Sequence, residues 1–148
     1  MEQSMKHLIS KYYDNWIGMN SVYEKWAKLH DLTYNTLMTL WVIHNFSNDC
    51  TSQLISEKLQ LPKQTVSAIL SSLEKAGHIV KTSSNKDKRN KNIVFTASGE
   101  VYANRILTEL YEFECKVLSD MKESDLIQML KYNDELLHKF RNVLEANV

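Results

Sequence analysis

The sequence predicts a mainly α-helical protein with one small β-hairpin. Its 148 residues include only 3 glycines and 1 proline, so few positions interrupt a helix. Apolar residues recur every three or four positions through both ends of the chain, which is the spacing of one helix face. Two short β-prone runs, 78–82 and 92–96, flank a wholly polar segment and indicate the hairpin. At this length we expect one domain, with or without an appendage.

A helix is predicted over residues 62–76. Its apolar positions follow the i, i+3, i+4, i+7 pattern and are Val66, Ile69, Leu70 and Leu73. Pro62 suits the first helical position because its missing N–H would be unpaired there, and Gly77 suits a left-handed C-cap. The opposite face carries short, mostly polar side chains and one cation: Gln64, Ser67, Ala68, Ser71 and Lys75. Such a face alone is typical of an ordinary solvated helix, so the neighbouring elements decide its meaning.

A second short helix is predicted over residues 51–61, with Thr51 as its N-cap. Only a few residues connect it to Pro62, which is typical of a helix-turn-helix. The hairpin follows, and its tip, SSNKDKRNK (83–91), contains no apolar residue and is too long for a two-residue turn. A helix-turn-helix followed by such a hairpin is a winged helix, a fold that places one helix in a DNA groove and the hairpin beside it.

Charge is distributed unevenly along the chain. The 18 basic and 18 acidic residues cancel, which by itself argues against nucleic-acid binding. Residues 51–96, however, hold eight basic and three acidic residues, a net charge of +5, and the remainder carries −5. The local field around the winged helix therefore favours the phosphates of double-stranded DNA, with an affinity that depends on salt.

Residues 32–45 and 51–100 resemble the MarR family of bacterial transcriptional regulators. The string DKRNKNIVFTASG (87–99) is similar to the wing signature of that family. The resemblance implies that Arg89 reaches into the minor groove and that Asp87 orients it. The family often carries arginine in the recognition helix, where this chain has Ala68 and Ser72. That departure puts the usual bidentate guanine contact in doubt.

The sequence offers other base readers in that helix. Gln64 suits adenine, Ser67 suits either base type, and the Ala68 methyl suits a thymine methyl. We therefore predict that the recognition helix, 62–76, contacts the major groove through Lys63, Gln64, Thr65, Ser67, Ala68 and Ser71. We predict that the wing, 83–91, contacts the minor groove through Lys86, Asp87, Lys88, Arg89 and Lys91.

Three amphipathic segments near the ends account for the remaining length. In residues 5–28 apolar and aromatic positions alternate by four and three, and two further stripes follow over 103–121 and 126–144. The resemblance implies that such helices build a homodimer, which would bind a palindromic operator. We therefore predict a helical dimerisation region, 1–30 and 97–148, around a winged helix-turn-helix DNA-binding domain, 31–96. The alternative is a monomer whose terminal helices wrap the winged domain.

An inducer pocket is a further expectation. The resemblance implies that small inducers bind between the dimer helices and the winged domain. Tyr12, Trp16, Trp41 and His44 could line such a pocket for an aromatic or phenolic molecule, because they combine apolar rings with polar tips. The alternative is that this aromatic stripe is simply core or dimer seam. The predicted function is thus a ligand-responsive repressor.

Other classes have little support. The chain lacks a Gly-rich phosphate loop, GxSxG and HExxH, so we predict no enzymatic activity and no cofactor. Five histidines show no metal-ligand spacing, so no metal site is predicted. No signal peptide or membrane span is evident, so we expect a cytoplasmic protein in which Cys50 and Cys115 are reduced. Two alternatives stay open: a metal- or thiol-responsive regulator of the same fold, and a winged-helix protein-interaction adaptor without DNA binding.

Overall fold

The computed structural model describes residues 2–83 and 91–146. Within those ranges it contains six helices and one two-stranded antiparallel hairpin, which confirms the predicted fold class. In chain order the elements are α1 (Glu2–Leu29), α2 (Tyr34–Asn45), α3 (Ser52–Leu59), α4 (Lys63–Lys75), β1 (Ile79–Ser83), β2 (Lys91–Phe95), α5 (Ala97–Leu118) and α6 (Glu123–Glu145). The chain divides into two compact units, one ending at Leu107 and the other beginning at Thr108. The predicted assignment of dimerisation and DNA-binding regions stays a prediction.

Helix α2 is the central packing element of the first unit. It begins after Thr33, whose side chain accepts a hydrogen bond from the Thr36 N–H at 3.1 Å and so satisfies one free donor of the first turn. Its inner face is fully buried through Leu37, Leu40, Val42 and Ile43. Helices α1, α3 and α4 and strand β2 all pack against it. The helix-turn-helix therefore rests on a rigid apolar support.

The core of the winged helix draws one or more apolar side chains from every surrounding element. Its buried members include Cys50, Ile55, Val66, Leu70, Leu73, Ile79, Ile93 and Ala103. Fully burying an aliphatic side chain contributes about 1.5–3 kcal/mol, so these contacts dominate the stability of the unit. The spacing that predicted the inner face of α4 is confirmed by the burial of Val66, Leu70 and Leu73.

The hairpin is paired in a single register. Ile79 lies opposite Phe95 and Ser83 lies opposite Lys91. The strands begin and end within one residue of the predicted runs. The Ile93 N–H also donates to the Cys50 carbonyl at 2.8 Å, which attaches β2 to the chain two residues before α3. The base of the wing is therefore held by both hairpin pairing and the helix-turn-helix.

The terminal helices contrast with this core. In α1 the C-terminal residues Trp26 and Ala27 are buried, whereas Met5, Trp16 and other apolar residues nearer its start are exposed. In α6 no described residue is buried. The amphipathic stripes predicted from the sequence are present as helices, but much of their apolar surface is open in the single chain.

Candidate nucleic-acid interface

Helix α4 has an apolar face on one side and a polar face on the other. The predicted contact residues lie opposite the core: Lys63, Gln64, Ser67 and Ala68 are exposed, and Thr65 and Ser71 are half-buried. Because the buried face alone holds the helix in place, the polar side chains are free to meet another molecule. The helix begins at Lys63, so Pro62 is its N-cap residue, and the prediction that Pro62 is the first helical residue was wrong. The predicted span 62–76 is accordingly one residue too long at each end.

The C-terminal end of α4 is closed by a Schellman motif. The Gly77 N–H donates to the Glu74 carbonyl at 3.0 Å, and the His78 N–H donates to the Leu73 carbonyl at 2.9 Å. Gly77 has a φ of +76°, which confirms the predicted left-handed residue and which glycine adopts without a steric penalty. These two bonds end the helix sharply and set the direction in which the wing leaves it.

A groove of about 370 Å³ lies beside the polar face of α4. It is lined by residues of α3, α4 and β1: Ser52, Gln53, Lys63, Ser67, Leu70 and Lys81. Ser52 and Gln53 are the first residues of α3, where N–H groups carry the positive end of the helix dipole. Lys63 and Lys81 add two cations. This Lys63–Lys81 groove therefore has the charge and the donors to bind an anion such as a phosphate oxygen.

The position of α3 in that groove is set by its cap. The Thr51 hydroxyl accepts a hydrogen bond from the Leu54 N–H at 3.1 Å, which confirms the predicted N-cap.

Three residues of the groove, Ser52, Gln53 and Lys81, were not among the site residues predicted from the sequence. The cap at Thr51 was a usable signal for the first two, because residues after an N-cap present free N–H groups. Lys81 lies two residues after buried Ile79, and side chains two residues apart in a strand lie on the same face, so the sequence placed Lys81 on the face of β1 that meets the helices.

The predicted wing contacts lie partly outside the described residues. Lys91 begins β2, is exposed and stands opposite Ser83. Lys86, Asp87, Lys88 and Arg89 fall within residues 84–90, outside the described ranges, and their roles stay predictions.

The base of the wing is tied to the start of α5 by a compact set of hydrogen bonds, the wing–α5 junction (Gly77, His78, Thr96, Ser98, Gly99 and Tyr102). The Thr96 hydroxyl donates to the Gly77 carbonyl at 2.6 Å and accepts from the Gly99 N–H at 2.9 Å. The Thr96 N–H donates to the His78 carbonyl at 3.0 Å. One threonine therefore caps α5 and also holds the end of α4.

Ring stacking and close packing complete this junction. The His78 and Tyr102 rings are parallel within 3°, with centroids 4.1 Å apart. A Cβ at Gly99 would overlap the His78 carbonyl and come within 2.8 Å of its Cα. Only glycine fits there without moving backbone. Burial raises the pKa of the Tyr102 hydroxyl, an effect that Arg105 opposes and Asp31 adds to.

The predicted inducer residues are spread over two helices. Tyr12 and Trp16 on α1 are 41% and 57% exposed, Trp41 on α2 is 41% exposed, and His44 is also exposed. A recess of about 340 Å³ at the α1–α2 turn is lined by other residues: Glu24, Lys28, Leu32, Thr33, Tyr34 and Asn35. The inducer pocket stays a prediction.

In residues 2–83 and 91–146 no three His, Cys, Asp or Glu side chains are grouped as metal ligands would be. Cys50 is buried, and burial raises the pKa of its thiol to about 11. Cys115 is exposed. Over the same ranges, the helices lack any stretch long and apolar enough to cross a membrane.

The chain is similar in sequence to known transcriptional regulators. The sequence profile of the MarR family matches residues 30–90. The chain is 31% identical over 125 residues to the HTH-type transcriptional regulator SarZ of Staphylococcus aureus strain USA300, an alignment that covers 84% of this chain and 78% of that protein.

Solved structures are similar as well. A MarR family regulator from Neisseria meningitidis superimposes with a TM-score of 0.82 at 25% identity, covering 95% of this chain and 99% of that one. The S. aureus MepR–DNA complex superimposes with a TM-score of 0.71 at 26% identity, covering 87% of this chain and 96% of that one.

Proposed function

This chain belongs to the MarR family of transcriptional regulators, and we propose that it is a ligand-responsive repressor that binds a palindromic operator as a homodimer. As a member of that family it is a non-enzymatic, DNA-binding transcription factor. The observation that carries the proposal is the polar face of α4 beside the Lys63–Lys81 groove. One surface thus offers base-reading side chains and phosphate-binding cations together.

Base reading is assigned to the exposed residues of α4. Gln64 can form a bidentate pair with adenine, Ser67 can donate to or accept from either base type, and the Ala68 methyl can contact thymine. All three are exposed on the first two turns of α4. In helix-turn-helix proteins it is the N-terminal part of the recognition helix that contacts base edges. The absence of arginine from this face favours sites rich in A·T pairs at the contacted positions.

Phosphate binding is assigned to the Lys63–Lys81 groove. Its two cations and the N-terminus of α3 lie beside the reading face of α4. A backbone phosphate next to the major groove would therefore meet charge and N–H donors while the bases meet Gln64 and Ser67. Lys91 at the base of the wing extends the basic surface. Contact of the tip, through Lys86, Lys88 and Arg89, with the minor groove belongs to the same proposal.

Homodimer formation is supported by apolar surface at the ends of the chain. Exposed large apolar residues occur along α1, at the end of α5 and along α6, and they include Leu8, Ile17, Met19, Val117, Ile127, Leu130, Leu137 and Leu144. Monomeric proteins rarely expose large contiguous apolar patches, and each of these helices exposes several large apolar side chains. A second copy would cover them and would place two recognition helices about 34 Å apart, one turn of DNA.

A role for an inducer rests on the aromatic residues of α1 and α2. Tyr12, Trp16 and Trp41 combine apolar rings with polar tips, which suits a flat aromatic acid or phenol. Binding of such a molecule would lower operator affinity only if it binds the DNA-free form more tightly. The expected readout is loss of the DNA complex as benzoate-type acids or phenols are added. A panel that leaves the complex intact would contradict this part.

The proposal is tested by fluorescence anisotropy with a duplex taken from upstream of the chain's own gene and with a shuffled duplex. We expect tighter binding to the upstream duplex. Gln64→Ala should narrow the difference in binding free energy between the two duplexes by about 1–3 kcal/mol per half-site, as for loss of a bidentate base contact. Gln128→Ala on α6 removes the same side chain from an exposed position in the other compact unit and should change the affinity for neither duplex. Failure to bind any duplex at low salt would contradict the proposal.

A further inference from the structure

One carboxylate lies among the cations of the proposed DNA face. Glu74 Oε2 accepts a hydrogen bond from Lys81 Nζ at 2.9 Å. Both side chains are partly open to solvent, with 30% of Lys81 and 44% of Glu74 exposed. Because Lys81 lines the Lys63–Lys81 groove, this ion pair stands where phosphate is proposed to bind.

Local stability does not account for the position of Glu74. It lies in the last turn of α4, at the negative end of the helix dipole, where an acidic side chain is unfavourable. Its ion pair with Lys81 offsets part of that cost, but exposed pairs add little to folding stability. The main effect of Glu74 is therefore on the charge of Lys81.

The geometry of β1 places the Lys81 ammonium group beside Glu74. Ile79 and Lys81 lie on the same face of β1, and Ile79 is 1% exposed in the core below. With its backbone held in register opposite Ile93, Lys81 reaches past the core edge toward α4. A carboxylate and a phosphate both form charge-assisted hydrogen bonds with an ammonium group, and two anions around one ammonium repel each other.

We propose that Glu74 competes with DNA phosphate for Lys81 and thereby limits sequence-independent DNA binding. This inference rests on the proposed DNA-binding function and assigns a specificity role to a residue outside the base-reading set. In the free protein the carboxylate occupies the site that a phosphate oxygen would take. A lysine already neutralised in this way contributes little to counterion release, so the affinity for arbitrary duplexes and its salt dependence are both reduced.

The test is a salt titration of binding to a random-sequence duplex, followed by fluorescence anisotropy of the full chain. Glu74→Gln keeps the shape of an exposed side chain and removes its charge. We expect roughly two- to fivefold tighter binding at low salt. The slope of log affinity against log salt should become steeper by about 1.8, the value for two additional phosphate contacts, one from each copy of the homodimer.

Two further variants separate this proposal from a general charge effect. Glu100→Gln removes one negative charge from an exposed position in the first turn of α5 and should leave the salt slope unchanged. In a Lys81→Gln background, Glu74→Gln should lose its effect, because the cation it restrains is gone.

Several results would overturn the proposal. If Glu74→Gln leaves the slope unchanged, weakens binding, or acts equally in the Lys81→Gln background, Glu74 does not compete for Lys81. If the unaltered protein binds a duplex and these results follow, only this inference fails. If the unaltered protein binds no duplex at all, the proposed function fails and this inference with it.

Discussion

Helices α4 and α6 carry the same kind of apolar stripe and meet different surroundings. The stripe of α4 is buried through Val66, Leu70 and Leu73, each at most 5% exposed. Along α6, Leu130, Leu137 and Leu144 are 58%, 48% and 68% exposed. Periodicity therefore predicts which face of a helix is apolar, and it leaves open which molecule covers that face. For α4 the cover is the core of the same unit, and for α6 we propose a second copy of the chain.

The largest expected effect comes from truncating the buried stripe. Leu73→Ala should lower the free energy of unfolding by about 2–5 kcal/mol, because it leaves a cavity among α4, the hairpin and α2. The measurement is urea unfolding followed by circular dichroism.

Leu137→Ala on α6 is the matched control. It should lower the unfolding free energy of dilute protein by less than about 1 kcal/mol, and it should weaken self-association in sedimentation equilibrium. If the two variants lose equal stability and self-association does not change, the apolar stripe of α6 is not covered by a second copy of the chain.

The next effect concerns the wing–α5 junction. Gly99→Ala should destabilise the protein by about 2–3 kcal/mol, because its Cβ would overlap the His78 carbonyl and backbone would have to shift. Gly18→Ala, in the open interior of α1, meets nothing within 4 Å and should stabilise by about 0.5–1 kcal/mol. Thermal unfolding of both variants measures this. A neutral Gly99→Ala would show that the close approach is not needed.

A smaller effect is expected at the cap of the same junction. Thr96→Ala removes the hydroxyl that joins Gly77 to Gly99 and should cost about 1 kcal/mol. Thr96→Ser keeps the hydroxyl and should retain most of that stability. If the two variants unfold at the same urea concentration, the hydroxyl does not hold the junction.

An effect of similar size to that of Thr96→Ala is a dependence of stability on pH. Burial raises the pKa of the Cys50 thiol from 9.0 to about 11, so the folded protein keeps this proton at a pH where the unfolded chain loses it. The associated stability is present below about pH 9 and falls as the pH rises toward 11. At pH 10 the loss should be about 1 kcal/mol relative to pH 8. The Cys50→Ala variant should not show this loss of stability between pH 8 and pH 10. If the stability of the two proteins depends on pH in the same way, the Cys50 thiol is not its source.

Much of the winged helix was predictable because its signals are local. The spacing from Val66 to Leu73 predicted the buried face of α4, and Gly77 and Thr51 predicted two caps that the structure contains. On the outer face of α4, Gln64, Ser67, Ala68 and Lys75 are exposed as expected, and Ser71 is half-buried. What these helix residues contact on DNA stays a proposal.

The parts that were missed depend on residues distant in sequence. The Lys63–Lys81 groove draws on three elements, and neither Ser52 nor Lys81 belongs to a motif by itself. The wing–α5 junction joins Gly77 to Thr96 across 19 residues, so no local pattern indicates it. The Glu74–Lys81 pair likewise depends on the turn between α4 and β1. Arg89, the strongest residue of the family resemblance, lies outside the described ranges and stays a prediction.

The central claim is that two copies of α4 read a symmetric DNA site, and it is tested most directly by selecting bound sequences from a random duplex pool. We expect an inverted repeat whose half-sites are centred about 10 base pairs apart, one turn of the helix. The same selection with Gln64→Ala should keep that spacing and lose preference at one position in each half-site. Enrichment of a single unrepeated site, or of no sequence, would contradict the account.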